Sequence, residues 1–501
     1  MKVTNEVFAE ITTTNWNKYN IANKKIEYVD AHQLLVPQRL DIIAKYKYVE
    51  AYDNGNNIPF LKDLYKKHIE IFTAGSFKEP GSEKEKSSYK DYEESFIQLI
   101  ENIKVNGMQP DISIIPVGKN NIPLNGGHRI AVAAFYSQKV PIIRFNEVEV
   151  DYGYDFFRRA YLDSEYLDYL VIEYLKLHMK VYFACLWPRA EYDKRKEAIE
   201  YLKQEMSVIA IKEVNLTYDG LKNLMSYVYM GQHWIGDIDN SFKGVYGKVD
   251  ACYKENASIT CVVFEGAELG EVVQVKSKIR NIFNIGNDSI HISDTQAETL
   301  LMARLLFNKN SIHALNYANI TKEKKFINKI LIFKELIEKQ KVDVDDVLID
   351  SSSVLGIYGL REPSDIDYLT FKKLDIEELN GVDEYDRELI YHSRAKEELI
   401  YHPSCYLYAY GMKFITLEEL KRMKGVRQDA KDREDCKLID TVGGQHGFFE
   451  ASKIFWLRQK RVCRYGKQNI KKYVVYSSKR LGLYTIIRKL YHKIKGTEYS
   501  E

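Results

Sequence analysis

The 501-residue chain is 45% hydrophobic and 29% charged, values of a globular protein with room for two or three cores of ordinary size. No run approaches 18 uninterrupted apolar residues, and the opening MKVTNEVFAEITTT lacks the apolar stretch of a secretory signal, so the reading is a cytoplasmic protein. Six scattered cysteines without CxxC pairs exclude a zinc ribbon or disulfide scaffold and predict reduced, mostly buried thiols.

The net charge of +2 conceals an asymmetry. Residues 451–496 hold 14 Lys or Arg and no acid, leaving 59 basic and 69 acidic side chains in residues 1–450, a net charge of about −10. That balance disfavours nucleic acid as a partner of the main body.

In chain order, RLDIIAKYKYVEA (39–51) reads as a helix, and the polar GSFKEPGSEKEKSSYK (75–90) as a loop. Phe96, Leu99, Ile100 and Ile103 carry helical spacing over Tyr92 to Val105, with Gly107 as the stop. A strand is expected over Ile112 to Val117, a turn at 118–121, a helix from His128 to Tyr136, and the strand VPIIRF. Residues 155–205, rich in charge and tyrosine, read as a helical connector. A second unit is expected from about 210, with ITCVVFEG (259–266) a buried strand and VVQVKSKIRNIF the helix after it. Residues 294–308 and 321–340 read as amphipathic helices. DVLIDSSSVLGIYGL, SDIDYLTF and SCYLYAYGMKFI read as strand-bearing segments. TLEELKRMKGVRQDAKDREDCKLI is mostly helix, with Thr416 as N-cap and Glu419 three residues on.

Asn125-Gly126-Gly127-His128-Arg129, followed by IAVAAFY, has a chemistry of its own. Two glycines let a backbone approach a phosphate, the helix start offers free N–H groups, and Arg129 can add a bidentate contact. The segment resembles the ParB/sulfiredoxin superfamily, whose glycine-rich turn ends in His-Arg or Arg-Arg at a helix start. The resemblance implies nucleotide binding at Gly126, Gly127, His128 and Arg129. No basic helix-turn-helix follows over 150–210, as a DNA-partitioning member would need. The plainer reading is a glycine-rich turn with a surface arginine.

The most informative segment is 349–369, IDSSSVLGIYGLREPSDIDYL. Small hydroxyl residues end a strand and open a helix, and Asp365 and Asp367 then alternate along a second strand. Residues i and i+2 share a strand face, so both carboxylates can converge. Such a pair favours Mg²⁺, and Ser352 and Ser353 would meet phosphate at the helix start. The arrangement resembles the nucleotidyltransferase superfamily over about 260–445, although Ser352-Ser353 replaces the family's glycine-containing pair. Met423-Lys424, Lys431-Asp432 and Asp435 look like its closing helix.

That resemblance implies Asp365 and Asp367 as catalytic metal ligands, with Ser352, Ser353, Arg361 and Lys424 on an NTP such as ATP or CTP. The family's third carboxylate has no assignment, since CYLYAYGMKFI contains no acid. The plainer reading of Asp365-Ile366-Asp367 is a solvated strand end. Upstream, His291 shares a strand face with Ser289 and Ser293 in SIHIS. Asp294 or Thr295 would cap the helix after it. That cluster is either an ordered, capped loop or the rim of the active site, with His291 and Asp294 contacting nucleotide or acceptor.

In the tail, LGLYTIIRKLYHKI (481–494) sets apolar residues on one helical face beside Arg488, Lys489 and Lys493. Such a basic amphipathic helix lies on an anionic membrane surface or packs on its own acidic body.

Together these readings predict an α/β (α+β) chain in four parts. They are a ParB/sulfiredoxin-like domain over 1–155, a helical connector over 156–208, a nucleotidyltransferase-like mixed-sheet domain over 209–445 and a basic tail over 446–501. The resemblances imply a Mg²⁺-dependent nucleotidyltransferase with a small-molecule or glycan acceptor, in bacterial capsule or lipopolysaccharide assembly. Residues 451–496 would then hold it at the inner face of the plasma membrane. An ATP-dependent kinase working at the N-terminal site and a non-catalytic nucleotide-binding regulator are the alternatives.

Overall fold

The computed structural model describes residues 24–78, 86–109, 113–266, 268–376, 379–443, 447–480 and 483. Within them, three sheets are layered with helices, an α/β arrangement of mixed and antiparallel strands.

The first sheet holds β1 (Glu27–Asp30), β2 (Ile115–Val117) and β3 (Lys139–Arg144) in the order β1-β3-β2. β3 runs antiparallel to β1 and parallel to β2. The helix Leu40–Asp53 packs against the helix Gly127–Phe135. The helix Tyr89–Asn106 starts on a reciprocal Ser88–Asp91 capping box and stops at Gly107 (φ 67°), where a left-handed backbone suits glycine.

The second sheet corrects the reading of 155–205 as wholly helical. Helices occupy Ser164–Leu177 and Tyr192–Glu205, but Val181–Leu186 between them is β4. Its sequence, VYFACL, is uncharged and buried at every position, which suits a strand covered on both faces. The dense charge of the flanking helices hid that short run. With β5 (Ser207–Val214), β6 (Ile259–Glu265) and β7 (Ile290–Ile292) it forms the order β5-β6-β4-β7, every pairing antiparallel. This unit therefore begins near 181 rather than 210, and 156–208 is not a separate connector.

The third sheet is mixed: β8 (Val347–Asp350), β9 (Ile366–Thr370), β10 (Val382–Glu384), β11 (Tyr406–Ala409) and β12 (Met412–Ile415), in the order β10-β9-β8-β12-β11. β8 is central, antiparallel to β9 and parallel to β12. The expected 209–445 domain thus contains most of one sheet and all of another.

Asp345, at the entry to β8, binds the parts together. Its carboxylate accepts from Arg304 at 2.8 Å, Lys176 at 3.1 Å and Tyr408 at 2.7 Å. Burial opposes its charge, but Arg304 and Lys176 outweigh that and hold it well below the usual carboxylate range.

The helix Gly447–Arg480 lies on the N-terminal half. Arg461 donates to Asp163 at 2.6 Å, and Asn469 to the Ala74 carbonyl at 3.2 Å. This stretch thus contacts the body of the chain. All of 481–494 except Leu483 lies outside the described residues. Among the described residues no helix is long and apolar enough to cross a membrane. Cys185, Cys252, Cys261 and Cys405 are buried, Cys436 is half-buried and Cys463 is exposed.

Candidate functional site

β8 ends and β9 begins at the most acidic point of the third sheet. In the register, Asp350 faces Asp367 across the antiparallel β8–β9 pair, and Asp367 faces Asp383 across the parallel β9–β10 pair. Residues opposed in a ladder share a face, with Cβ atoms about 5 Å apart in the antiparallel case. Three carboxylates therefore form a row over three adjacent strands. Asp365 stands two residues before Asp367, and its Oδ1 accepts from the Ser364 hydroxyl at 3.0 Å.

The row is electrostatically loaded. Asp367 is 7% exposed. Burial, then Asp365, push its carboxyl from 3.8 up to about 7, with Asp350 and Asp383 adding to the shift and a hydrogen bond from Ser351 offsetting part of it. Asp350 is fully buried and accepts from the Ser351 amide at 2.6 Å. Its other oxygen lies 3.0 Å from His392 Nε2, a charge contact without hydrogen-bond geometry at either atom. Burial lowers the His392 pKa, but Asp350 outweighs it and the net shift is upward. Among the described residues, no group of three or more His, Cys, Asp or Glu side chains forms a preformed metal cluster.

The hydroxyl turn differs in detail from its expected form. Ser351, not Ser352 or Ser353, takes the left-handed backbone at φ 57°, the conformation that favours glycine. The helix after it, Ser353–Ile357, is five residues long, too short for a strong N-terminal dipole. Ser353 is fully buried and its hydroxyl donates to the Asp365 carbonyl at 3.5 Å. It thus braces β9 instead of facing solvent. Ser352 is also buried.

Arg361 and Lys424, expected on the nucleotide, are committed to carboxylates. Arg361 grips Asp435 through two bonds of 2.6 and 2.9 Å. Lys424, 2% exposed, lies 2.8 Å from both Asp432 and Asp435. Arg427 forks onto Asp432 at 2.9 and 2.8 Å and reaches the Tyr385 hydroxyl at 2.8 Å. Burial opposes ionisation of Asp432, but Arg427 and Lys424 hold it at about 2. This lattice locks the helices Leu417–Arg427 and Ala430–Asp440 beside the carboxylate row.

His291 and Asp294 do not join that site. Both line a different cavity, with the Tyr410–Gly411 turn in its wall. β12 starts just after that turn and runs parallel to β8, pairing Lys413 with Leu348 and Phe414 with Ile349. The turn therefore marks the end of the sheet opposite Asp350. His291 Nε2 pairs with Glu298 at 2.8 Å, and Thr295 caps the following helix, as the capped-loop alternative expects.

In the N-terminal half, Gly126 (φ 79°) begins the helix Gly127–Phe135. Beneath it lies a buried triad. Arg39 donates to both Asp41 oxygens at 2.8 and 2.9 Å, and Lys45 donates to Asp41 at 2.6 Å. A Cβ on Gly127 would stand 2.9 Å from Arg39 and 3.2 Å from Asp41. Packing against this triad accounts for a glycine at that position, and Asp41 brings the helix start its own anion. Arg129 is half-buried: its guanidinium donates to the Ser113 hydroxyl, and burial lowers its pKa to about 10. His128 bonds Tyr65 at 3.0 Å and packs edge-on to Phe96; burial, then Lys45, hold it neutral.

The sequence reading missed Asp350, Asp383, His392 and the triad. Asp350 was available as the lone charge in the apolar VLID. Comparison with protein-family models, curated proteins and solved structures returned no match.

Proposed function

We propose that the third sheet carries a Mg²⁺-dependent nucleotidyltransferase-like site. The observation that supports it is the Asp350–Asp367–Asp383 row beside the hydroxyl turn at Ser351. Asp367, buried and crowded by its acidic neighbours, resists ionisation, which a divalent cation would relieve. Hard oxygen donors suit Mg²⁺, which takes one or two carboxylates and completes its shell with water and phosphate. Asp365 and Asp367 would hold it, and it would neutralise triphosphate charge. The chain would position an NTP (ATP or CTP) and a small-molecule or glycan acceptor for in-line attack.

The ParB/sulfiredoxin-like reading of Gly126–Arg129, a cytoplasmic location and a role in surface-polysaccharide assembly belong to the same proposal. Contact with an anionic membrane draws support from exposed Phe455, Trp456, Ile470 and Tyr473 on the basic helix. A second reading, a regulator that binds nucleotide without turnover, is favoured by the pairing of Arg361 and Lys424 with Asp435 and Asp432.

Calorimetry with MgATP and MgCTP, paired with pyrophosphate release in the presence of acceptors, tests this. Binding is expected in the wild type and lost in Asp367→Asn. Equal binding by both would overturn the site, and binding without release would select the regulator.

A further inference from the structure

Between β7 with the helix Gln296–Leu306 and the helix Lys324–Lys339 with the Tyr410–Gly411 turn lies a cavity of about 790 Å³. That is the size of a small-molecule site. Two rings stand in its wall. Tyr229 and Trp234 meet at 5.1 Å between centroids, and Trp234 is 47% exposed. Behind them runs a polar chain: the Tyr229 hydroxyl lies 3.3 Å from His291 Nδ1, and His291 Nε2 lies 2.8 Å from Glu298. With Nε2 donating to Glu298, Nδ1 can accept from the Tyr229 hydroxyl. Gln232 and Asp294 add polar groups to the lining; the Asp294 side chain is 59% exposed and its Oδ1 lies 3.5 Å from Lys276 Nζ.

The charge of the wall selects among ligands. Its arginine and lysine both sit in ion pairs, Arg304 with Asp345 at 2.8 Å through one nitrogen, its Nε lacking a hydrogen-bond partner, and Lys334 with Glu338 at 3.1 Å. A phosphorylated or otherwise anionic ligand would meet Asp294, Glu298 and Glu338, with the Arg304 charge already balanced by buried Asp345. A purely apolar ligand would cover the rings but strip water from the carboxylates and amide without replacing it. A pyranose satisfies both surfaces: its C–H face lies flat on an aromatic ring, and its vicinal hydroxyls donate to a carboxylate.

We infer that this cleft binds a neutral saccharide, stacked on Trp234 and Tyr229 and held by Asp294 and Gln232. The site stands at the opposite end of the third sheet from the carboxylate row and does not depend on the function proposed there.

Saturation-transfer NMR and calorimetry on the full chain with maltotriose, cellotriose and triacetylchitotriose test the inference. At least one is expected to bind, and Trp234→Ala to weaken it about tenfold or more, since loss of a stacked ring is of that order. Trp234→Phe should retain most binding and Asp294→Ala should lower it. Asp367→Asn should leave it unchanged, separating this site from the other. A thermal melt confirms that Trp234→Ala, at an exposed position, is folded. Failure of all three sugars to bind would overturn the inference, as would sugar binding indifferent to both Trp234→Ala and Asp294→Ala, or a peptide displacing the sugar from the folded protein.

Discussion

Arg461 and Asp163 form a buried ion pair at 2.6 Å across 298 residues of sequence, and this contact seats the basic C-terminal helix on the N-terminal half. Both side chains are under 10% exposed, and removing Arg461 leaves the buried Asp163 with only Lys67 and Arg458, each at 4.0 Å. Arg461→Ala should cost about 2 kcal/mol of stability and open Gly447–Arg480 to limited proteolysis. The double change Arg461→Met with Asp163→Leu should recover most of the loss. Proteolysis equal to wild type in Arg461→Ala would show that the helix is held elsewhere.

Asp367 gives the molecule a pH signature opposite to that of most carboxylates. Its folded-state pKa, raised from 3.8 to about 7, means that the native protein binds the extra proton between those values. Its own contribution to stability therefore falls as pH rises from about 4 to 7 and is level above. Asp367→Asn should remove this slope and raise stability at pH 8 by on the order of 1–3 kcal/mol. Chemical denaturation of both proteins at pH 5 and pH 8, without divalent cations, checks the difference. A variant no more stable than wild type at pH 8 would contradict the electrostatic loading of the row.

Lys424 separates a bracing role from a ligand-binding one. It stands between Asp432 and Asp435, which keep Arg427 and Arg361 when it is removed. Lys424→Ala should therefore destabilise by about 2–4 kcal/mol through lost pairing and a small void. Lys424→Met, which restores volume, should lose less. If instead the melting temperature stays put while nucleotide affinity falls, the lysine faces ligand and the lattice is dispensable.

What could be read from the chain followed the range of each signal. Asp365 and Asp367 were legible because a two-residue period is local to one strand. Asp350 and Asp383 joined them only through β8–β9 and β9–β10 pairing, and register between strands is set by tertiary packing rather than by neighbours in sequence. The same limit hid β4, whose six buried residues sit between two charged helices. It also let His291 be read beside the carboxylates, although the parallel course of β8 and β12 puts its cavity at the far end of the sheet. The turn at Gly126 was legible through its backbone demand, whereas the triad under Gly127 comes from a helix more than seventy residues earlier in the sequence.

Gly127 provides the sharpest test of what that turn is for. Its neighbours are the buried tips of Arg39, Asp41 and Lys45, held in a triad in which Arg39 also donates to the Pro123 carbonyl. A methyl group there must displace the Arg39 tip from its place on Asp41 by a few tenths of an ångström. Gly127→Ala should thus destabilise by about 1–3 kcal/mol in the absence of any nucleotide. Asp41→Asn, which leaves Arg39 and Lys45 facing each other without a counter-charge, should destabilise more. Thermal melts in nucleotide-free buffer read both. A Gly127→Ala protein as stable as wild type, yet deaf to MgATP or MgCTP, would return the glycine to the phosphate-binding role its motif suggests.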